Sequence, residues 1–227
     1  MRKLPRLAAG LAVLCIVFVI LLQGKPRFTN AARPPRGIWD PVVALQVARN
    51  IGEVDDILGE EPSADREVMR FKQYLDFGFI AAYAGLFCVL ALLLSREGRF
   101  ASVAGAATAV CALGTAAFDV LEDIAILRIL DVPLRATTGA MINSIRSASG
   151  AKWGLAALTL AFLSALLVKG QGWLRRTNGV LVGVSAGMVV YGFRDNRFFI
   201  FQGYPAFVAL IGIAIMFFPG RQPSLEN

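Results

Sequence analysis

The sequence predicts an all-α, polytopic transmembrane helix bundle of about six spans, and three observations carry that prediction. The 227-residue chain is 56% hydrophobic and only 17% charged, with mean hydropathy +0.61; soluble domains sit at roughly 45–50% apolar and 25% charged. Six runs hold no charged side chain: Leu7–Leu22, Phe77–Leu94, Ala101–Phe118, Trp153–Val168, Gly179–Phe193 and Phe198–Phe218. Their 15 to 21 residues, with flanking positions added, suit a hydrocarbon core that takes about 17–25. Finally, charge is one-sided. If the N-terminus is cytoplasmic, segments 1–6, 95–100, 169–178 and 219–227 carry nine basic residues against Glu97 and Glu226, and the rest of the chain is balanced. The net charge of +7 therefore falls on one side, as the positive-inside rule asks of short loops, and no nucleic-acid partner is needed to explain it.

The same composition excludes a secreted disulfide module, a nucleic-acid-binding domain and a soluble enzyme. The chain has no histidine, which removes Ser-His-Asp chemistry and His-ligated haem, zinc or di-iron sites. Cys15, Cys88 and Cys111 each lie inside an apolar run and form no C-x-x-C pair, so they read as small buried apolar residues. No cofactor, no catalytic residue and no metal ligand is assigned.

Residues 1–23 read as a signal-anchor helix, with Arg2, Lys3 and Arg6 ahead of the apolar run. Small residues at Asn30-Ala31-Ala32 fit a cleavage site poorly, so the anchor is expected to be retained. Residues 24–72 form the extracytoplasmic segment, which opens with the irregular Pro- and Arg-rich stretch Lys25–Gly37. Asp40 as N-cap and Pro41 at the first helical position then start a helix. Val43, Val47, Ile51, Val54 and Leu58 give it one apolar stripe, away from Arg49, Glu53, Asp55 and Asp56. That helix is expected to lie on the membrane surface or cap the bundle mouth.

Residues 73–227 form the five remaining spans. Glu61-Pro62 breaks the amphipathic helix, and Ser63 caps a long helix running through Phe77–Leu94. Asp131-Val132-Pro133 ends the next, and Gly139–Ser149 leads into the fourth span either as a separate interfacial helix or as its extension. Arg194–Arg197 is a solvated hairpin, with Gln202 and Pro205 as candidate kink or lining residues in the last span.

The residues that could carry chemistry converge in depth. Asp119, Glu122 and Asp123 are spaced i, i+3 and i+4 and share one helix face with Thr108, Cys111 and Thr115. Asp76 and Tyr83, seven apart, share a face of the second span, and Lys152 opens the fourth. In the six-span topology all these charges sit toward the extracytoplasmic end. Charge in a membrane span is costly and marks ion or headgroup sites, with pairing as the relief. The competing reading makes them interfacial caps, with Lys152 pairing an acid to fix the bundle. A lipid-phosphate enzyme is a third reading, and it lacks the second aspartate cluster that a multi-oxygen Mg²⁺ site on facing helices would need. Gly179, Gly183 and Gly187 form G-x-x-x-G-x-x-x-G, a helix-packing face serving either a neighbour in the same chain or a second copy. Gly78/Ala82 and Ala101/Gly105/Ala109 give similar faces.

Three stretches together resemble a family of small, uncharacterised polytopic bacterial membrane proteins: Leu45-Gln46-Val47-Ala48-Arg49 through Ile57-Leu58; Leu75-Asp76-Phe77-Gly78-Phe79-Ile80 with Tyr83; and Phe118-Asp119-Val120-Leu121-Glu122-Asp123. The resemblance covers roughly residues 40–170. It implies a membrane-embedded helical bundle, a lysine at the position of Lys152, and no known activity. The expectation is a multi-pass plasma (inner) membrane protein with both termini cytoplasmic, in contact with the lipid bilayer. Its role is expected to be structural or interactive, with a homo-oligomer or another membrane protein as partner. A small transporter or ion-coupled carrier using outer-side carboxylates is the alternative, and an intramembrane lipid-modifying enzyme the third.

Overall fold

The computed structural model describes residues 3–29 and 37–218, and these are helical with no strand among them. Asn30–Ala32 and the terminal basic residues Arg2 and Arg221 lie outside the described residues. The helices are α1 (Lys3–Gln23), α2 (Pro41–Gln46), α3 (Ile51–Leu58), α4 (Ala64–Leu94), α5 (Arg99–Leu130), α6 (Gly139–Val168), α7 (Trp173–Gly192), α8 (Phe198–Phe201) and α9 (Gly203–Phe217). Four helical stretches are long and apolar enough to cross a membrane: Lys3–Gln23, Ala64–Leu94, Gly139–Val168 and Phe198–Phe217.

The long helices close into a ring. α1 packs on α4, α4 on α5, α5 on α6, α6 on α7 and α7 on α9, which returns to α1. Large apolar side chains line the outside of the ring, among them Val17, Val103, Val110, Val184 and Val208. A contiguous exposed apolar belt of this kind is what lipid contact requires and what water penalises.

Caps set the boundaries. Asp40 accepts from the amides of Val42 and Val43 and starts α2 over Pro41. Ser63 accepts from the Asp65 amide at 3.2 Å and donates to the Leu58 carbonyl, so one hydroxyl ends α3 and begins α4. Gly98 and Gly172, at φ of 113° and 88°, make the turns into α5 and α7 in a region that other residues avoid. Arg175 clasps those two turns with two bonds to Glu97, at 2.6 and 2.7 Å. Arg197 beside Asp195 holds that carboxyl below its ordinary range in the α7–α8 turn. This pair is solvent-exposed and adds little stability.

One expectation is corrected. Residues 41–58 do not form a single amphipathic helix; it is broken between Gln46 and Ile51. The Asn50 side chain accepts from the Glu53 amide at 2.9 Å, while the Glu53 carboxylate accepts from the Arg49 amide at 2.7 Å. This reciprocal cap starts a second helix and overrides the 3.6-residue period. Ile51 is left 41% exposed instead of joining the stripe. Of the two outcomes open for Gly139–Ser149, the structure has the extension: α6 is continuous over 30 residues. The last run is divided at Gln202, where Pro205 lacks the amide that would bond Phe201.

Three helices are longer than their charge-free runs. α4, α5 and α6 have 31, 32 and 30 residues, or about 45–48 Å at 1.5 Å per residue. Their overhanging ends, Ala64–Asp76, Asp119–Leu130 and Gly139–Lys152, enclose with α2 and α3 a second apolar core of Leu45, Val54, Leu58, Met69, Ile126 and Ile142. The main core, with Leu86, Leu90, Leu163 and Val189, lies along the ring. Arg66, 2% exposed, binds the ends together by donating to the carbonyls of Ile129 and Val132 at 2.8 and 2.7 Å, where the negative end of the α5 dipole favours a cation. α2 and α3 therefore cap the bundle mouth.

The glycine face is used mostly within the chain. A Cβ on Gly179 would meet Val168 Cγ2 at 2.6 Å, and one on Gly183 would meet Ser164 Oγ at 2.7 Å; Gly187 faces open space. Ser164 also donates to the Gly179 carbonyl at 2.7 Å. Gly78 likewise seats the Phe18 ring of α1, and Gly105 sits against Ala91 and Ser95 of α4. Gly179→Leu is expected to cost about 1–3 kcal/mol by overpacking α6, and Gly187→Leu less than about 0.5 kcal/mol. Thermal unfolding in detergent checks both, and equal losses would contradict this packing.

Candidate functional site

Between the two apolar cores lies a polar layer. On α4 it falls between Met69 of the cap core and Ile80 of the main core; on α6, between Ile145 and Ala157. The sequence periodicity explains how the layer is populated. Asp119, Glu122 and Asp123 fall on one α5 face, and the rotation of α5 that buries Ala112, Ala125 and Ile129 turns that face inward. All three acids are buried: Asp119 is 7% exposed, Glu122 1% and Asp123 0%.

Lys152 of α6, itself 6% exposed, enters this face. Its Nζ donates to Asp119 Oδ1 at 3.0 Å and to Glu122 Oε1 at 2.8 Å. Glu122 gathers further donors: Gln46 Nε2 at 2.7 Å onto Oε1, and Ser149 Oγ at 2.6 Å onto Oε2. Gln46 in turn accepts from the Trp153 indole at 3.1 Å. The Trp153 ring stacks on Phe199, with centroids 5.0 Å apart, closing the side facing α8. Tyr83 of α4 donates its hydroxyl to Asp119 Oδ2 at 2.8 Å. This half of the layer is satisfied.

The other half is not. Both carboxylate oxygens of Asp123 are buried with no hydrogen-bond partner among the described residues. Asp76, half-buried on α4, receives no hydrogen bond from a described residue. Asp76, Asp119 and Asp123 each bring one carboxylate oxygen to a common point, all within 4.8 Å of one another. Carboxylates this close in a water-poor layer repel strongly when ionised, and a counter-charge or a bound proton relieves the repulsion.

Every residue of the sequence-derived polar set, Asp76, Tyr83, Asp119, Glu122, Asp123 and Lys152, is thus in one layer. Thr108 and Thr115 are not part of it, because their hydroxyls turn back to the carbonyls of Ala104 and Cys111 on α5 itself. Sequence reasoning missed Gln46 and Ser149. A signal for the first existed, since Gln46 is the single polar side chain in Pro41–Ala48. The facing aspartate that an oxygen site would need is Asp76; one residue on α4 supplies it, where a motif search looks for a cluster.

Comparison of the chain with protein-family models, with curated proteins and with solved structures gives no match.

Removing one partner of a buried pair costs about 3–5 kcal/mol because the other charge is stranded. Lys152→Met is expected to lose that much stability in detergent, and Lys152→Met with Asp119→Asn to recover part of it. Tyr83→Phe should cost about 1.5–3 kcal/mol, as a donor to a charged acceptor. An unchanged melting temperature for Lys152→Met would contradict the pairing.

Proposed function

We propose that this chain is a multi-pass protein of the plasma (inner) membrane that handles a cation at its buried carboxylates, as a small ion-coupled carrier. The observation that carries this reading is the unsatisfied half of the polar layer. Four carboxylates, Asp76, Asp119, Glu122 and Asp123, face one ammonium, Lys152, and no donor among the described residues reaches Asp123. Ionisable groups inside a membrane bundle are expensive, and those that persist mark ion paths.

Six spans with both termini cytoplasmic is the topology that suits this role. Beyond the four apolar helices, α5 and α7 carry the charge-free runs Ala101–Phe118 and Gly179–Phe193, and both expose valines: Val103 and Val110, Val180 and Val190. Adjacent helices of the ring then alternate in direction. In this topology cysteines placed in 38–60 and at 169–173 label from opposite sides of the membrane in intact cells. Labelling of both from one side would exclude six spans.

A second reading, a purely structural component, is favoured by the satisfied half, where Lys152, Gln46 and Ser149 latch Glu122. Flux separates the two. Proteoliposomes holding the protein are expected to take up a cation faster than empty vesicles, and Asp119→Asn to lower that rate by about tenfold or more, the loss of roughly 1.4 kcal/mol of binding. Rates equal to empty vesicles for H⁺, Na⁺, Mg²⁺ and Ca²⁺ would remove the carrier and leave the latch.

A further inference from the structure

The unsatisfied half of the layer has a composition that selects among cations, and this inference rests on the cation reading above. We propose that Asp76, Asp119 and Asp123 form a binding site for one hard divalent cation.

The donor set is all oxygen. The chain contains no histidine, and its cysteines, Cys15, Cys88 and Cys111, are outside the group of carboxylates that converge here. Carboxylates alone suit hard ions such as Mg²⁺, Ca²⁺ and Mn²⁺, whereas softer metals draw imidazole or thiolate.

The spacing allows one ion to reach all three. Oxygens within 4.8 Å of one another have a common centre at most about 2.8 Å from each, and hard divalent cations bind oxygen at roughly 2.0–2.6 Å.

The independent observation is Asp123. It is fully buried, both its oxygens lack a partner, and one of them belongs to the converging set. A buried ionised carboxylate with no donor is among the most costly groups a protein can hold, and a cation in contact with it removes that cost. Lys152 is already committed: its ammonium bonds Asp119 Oδ1 and Glu122 Oε1. Asp119 receives one hydrogen bond on each oxygen, from Lys152 and Tyr83, which leaves each with a further lone pair. It can therefore bridge the latch and the metal.

Charge points the same way. With all four carboxylates ionised against one ammonium, a monovalent ion leaves the layer two charges negative and a divalent ion leaves it one. Two carboxylates on α5 and one on α4 also make the ion a cross-link between those helices, so its binding is read as stability.

The test uses the full chain in detergent, stripped with EDTA and refilled with CaCl₂, MnCl₂, MgCl₂ or NaCl at matched ionic strength. A divalent cation is expected to raise the melting temperature saturably, by about 5–10 °C at a hundred times Kd, with Na⁺ inert. Mn²⁺ bound at about one per chain by electron paramagnetic resonance is the direct count of such a three-oxygen site. Asp123→Asn should abolish the shift, while Asp55→Asn, at an exposed acid of α3, should keep it. If Asp123→Asn does not fold, the Mn²⁺ count on the unaltered chain decides, and no bound Mn²⁺ overturns the site. A shift with Na⁺ alone, or with pH and no metal, overturns the divalent site and leaves the cation reading standing. No response to any cation or to pH overturns both.

Discussion

The ammonium of Lys152, held between Asp119 and Glu122, is the interaction on which the rest of this molecule depends. It joins α5 to α6 at the level where two apolar cores meet, and it makes a layer of buried acids tolerable. Without it, Glu122 would be a fully buried charge among apolar helices, and the cost of stranding one is several kcal/mol. With it, Glu122 becomes the hub that draws in Ser149 from α6 and Gln46 from α2. The cap of α2 and α3 is thus fastened to the bundle through the same carboxylate that Lys152 neutralises.

The overhang of α4, α5 and α6 gives that layer its place. Helices much longer than their charge-free runs must bury their excess length in something other than lipid. Here α2 and α3 supply it, with Leu45, Val54 and Leu58. Arg66 and Arg70 anchor the start of α4 to the end of α5, Arg70 pairing with Asp131 at 2.6 Å. Set between the two apolar cores, the layer brings Asp76 and Asp123 together without a donor among the described residues. A buried group left this way calls for an explanation, and a bound ion is one.

Much of this was legible in the sequence, because much of it is local. Asp40-Pro41 and Ser63 start helices where their capping chemistry says they should, and the i, i+3, i+4 spacing puts Asp119, Glu122 and Asp123 on one face before any tertiary contact is known. Gly179 and Gly183 announce close approach, although only packing reveals that Val168 and Ser164 of the same chain take it up. What could not be read was either a competition or a distance. The apolar period from Val43 to Leu58 predicts one helix, and the reciprocal bonds of Asn50, Glu53 and Arg49 cut it in two. Gln46 meets Glu122 across 76 positions of sequence. The opposition of Asp76 to Asp123 depends on the rotations of two helices, which no periodicity specifies.

The central claim is that Lys152 neutralises one part of the acid layer and leaves the other part open. A double-mutant cycle on Lys152→Met and Glu122→Gln, followed by unfolding in detergent, measures it most directly. The account predicts that the double variant loses less stability than the two singles together by about 2–3 kcal/mol, the range of directly contacting groups. Losses that add within about 0.5 kcal/mol, as for independent sites, would contradict it.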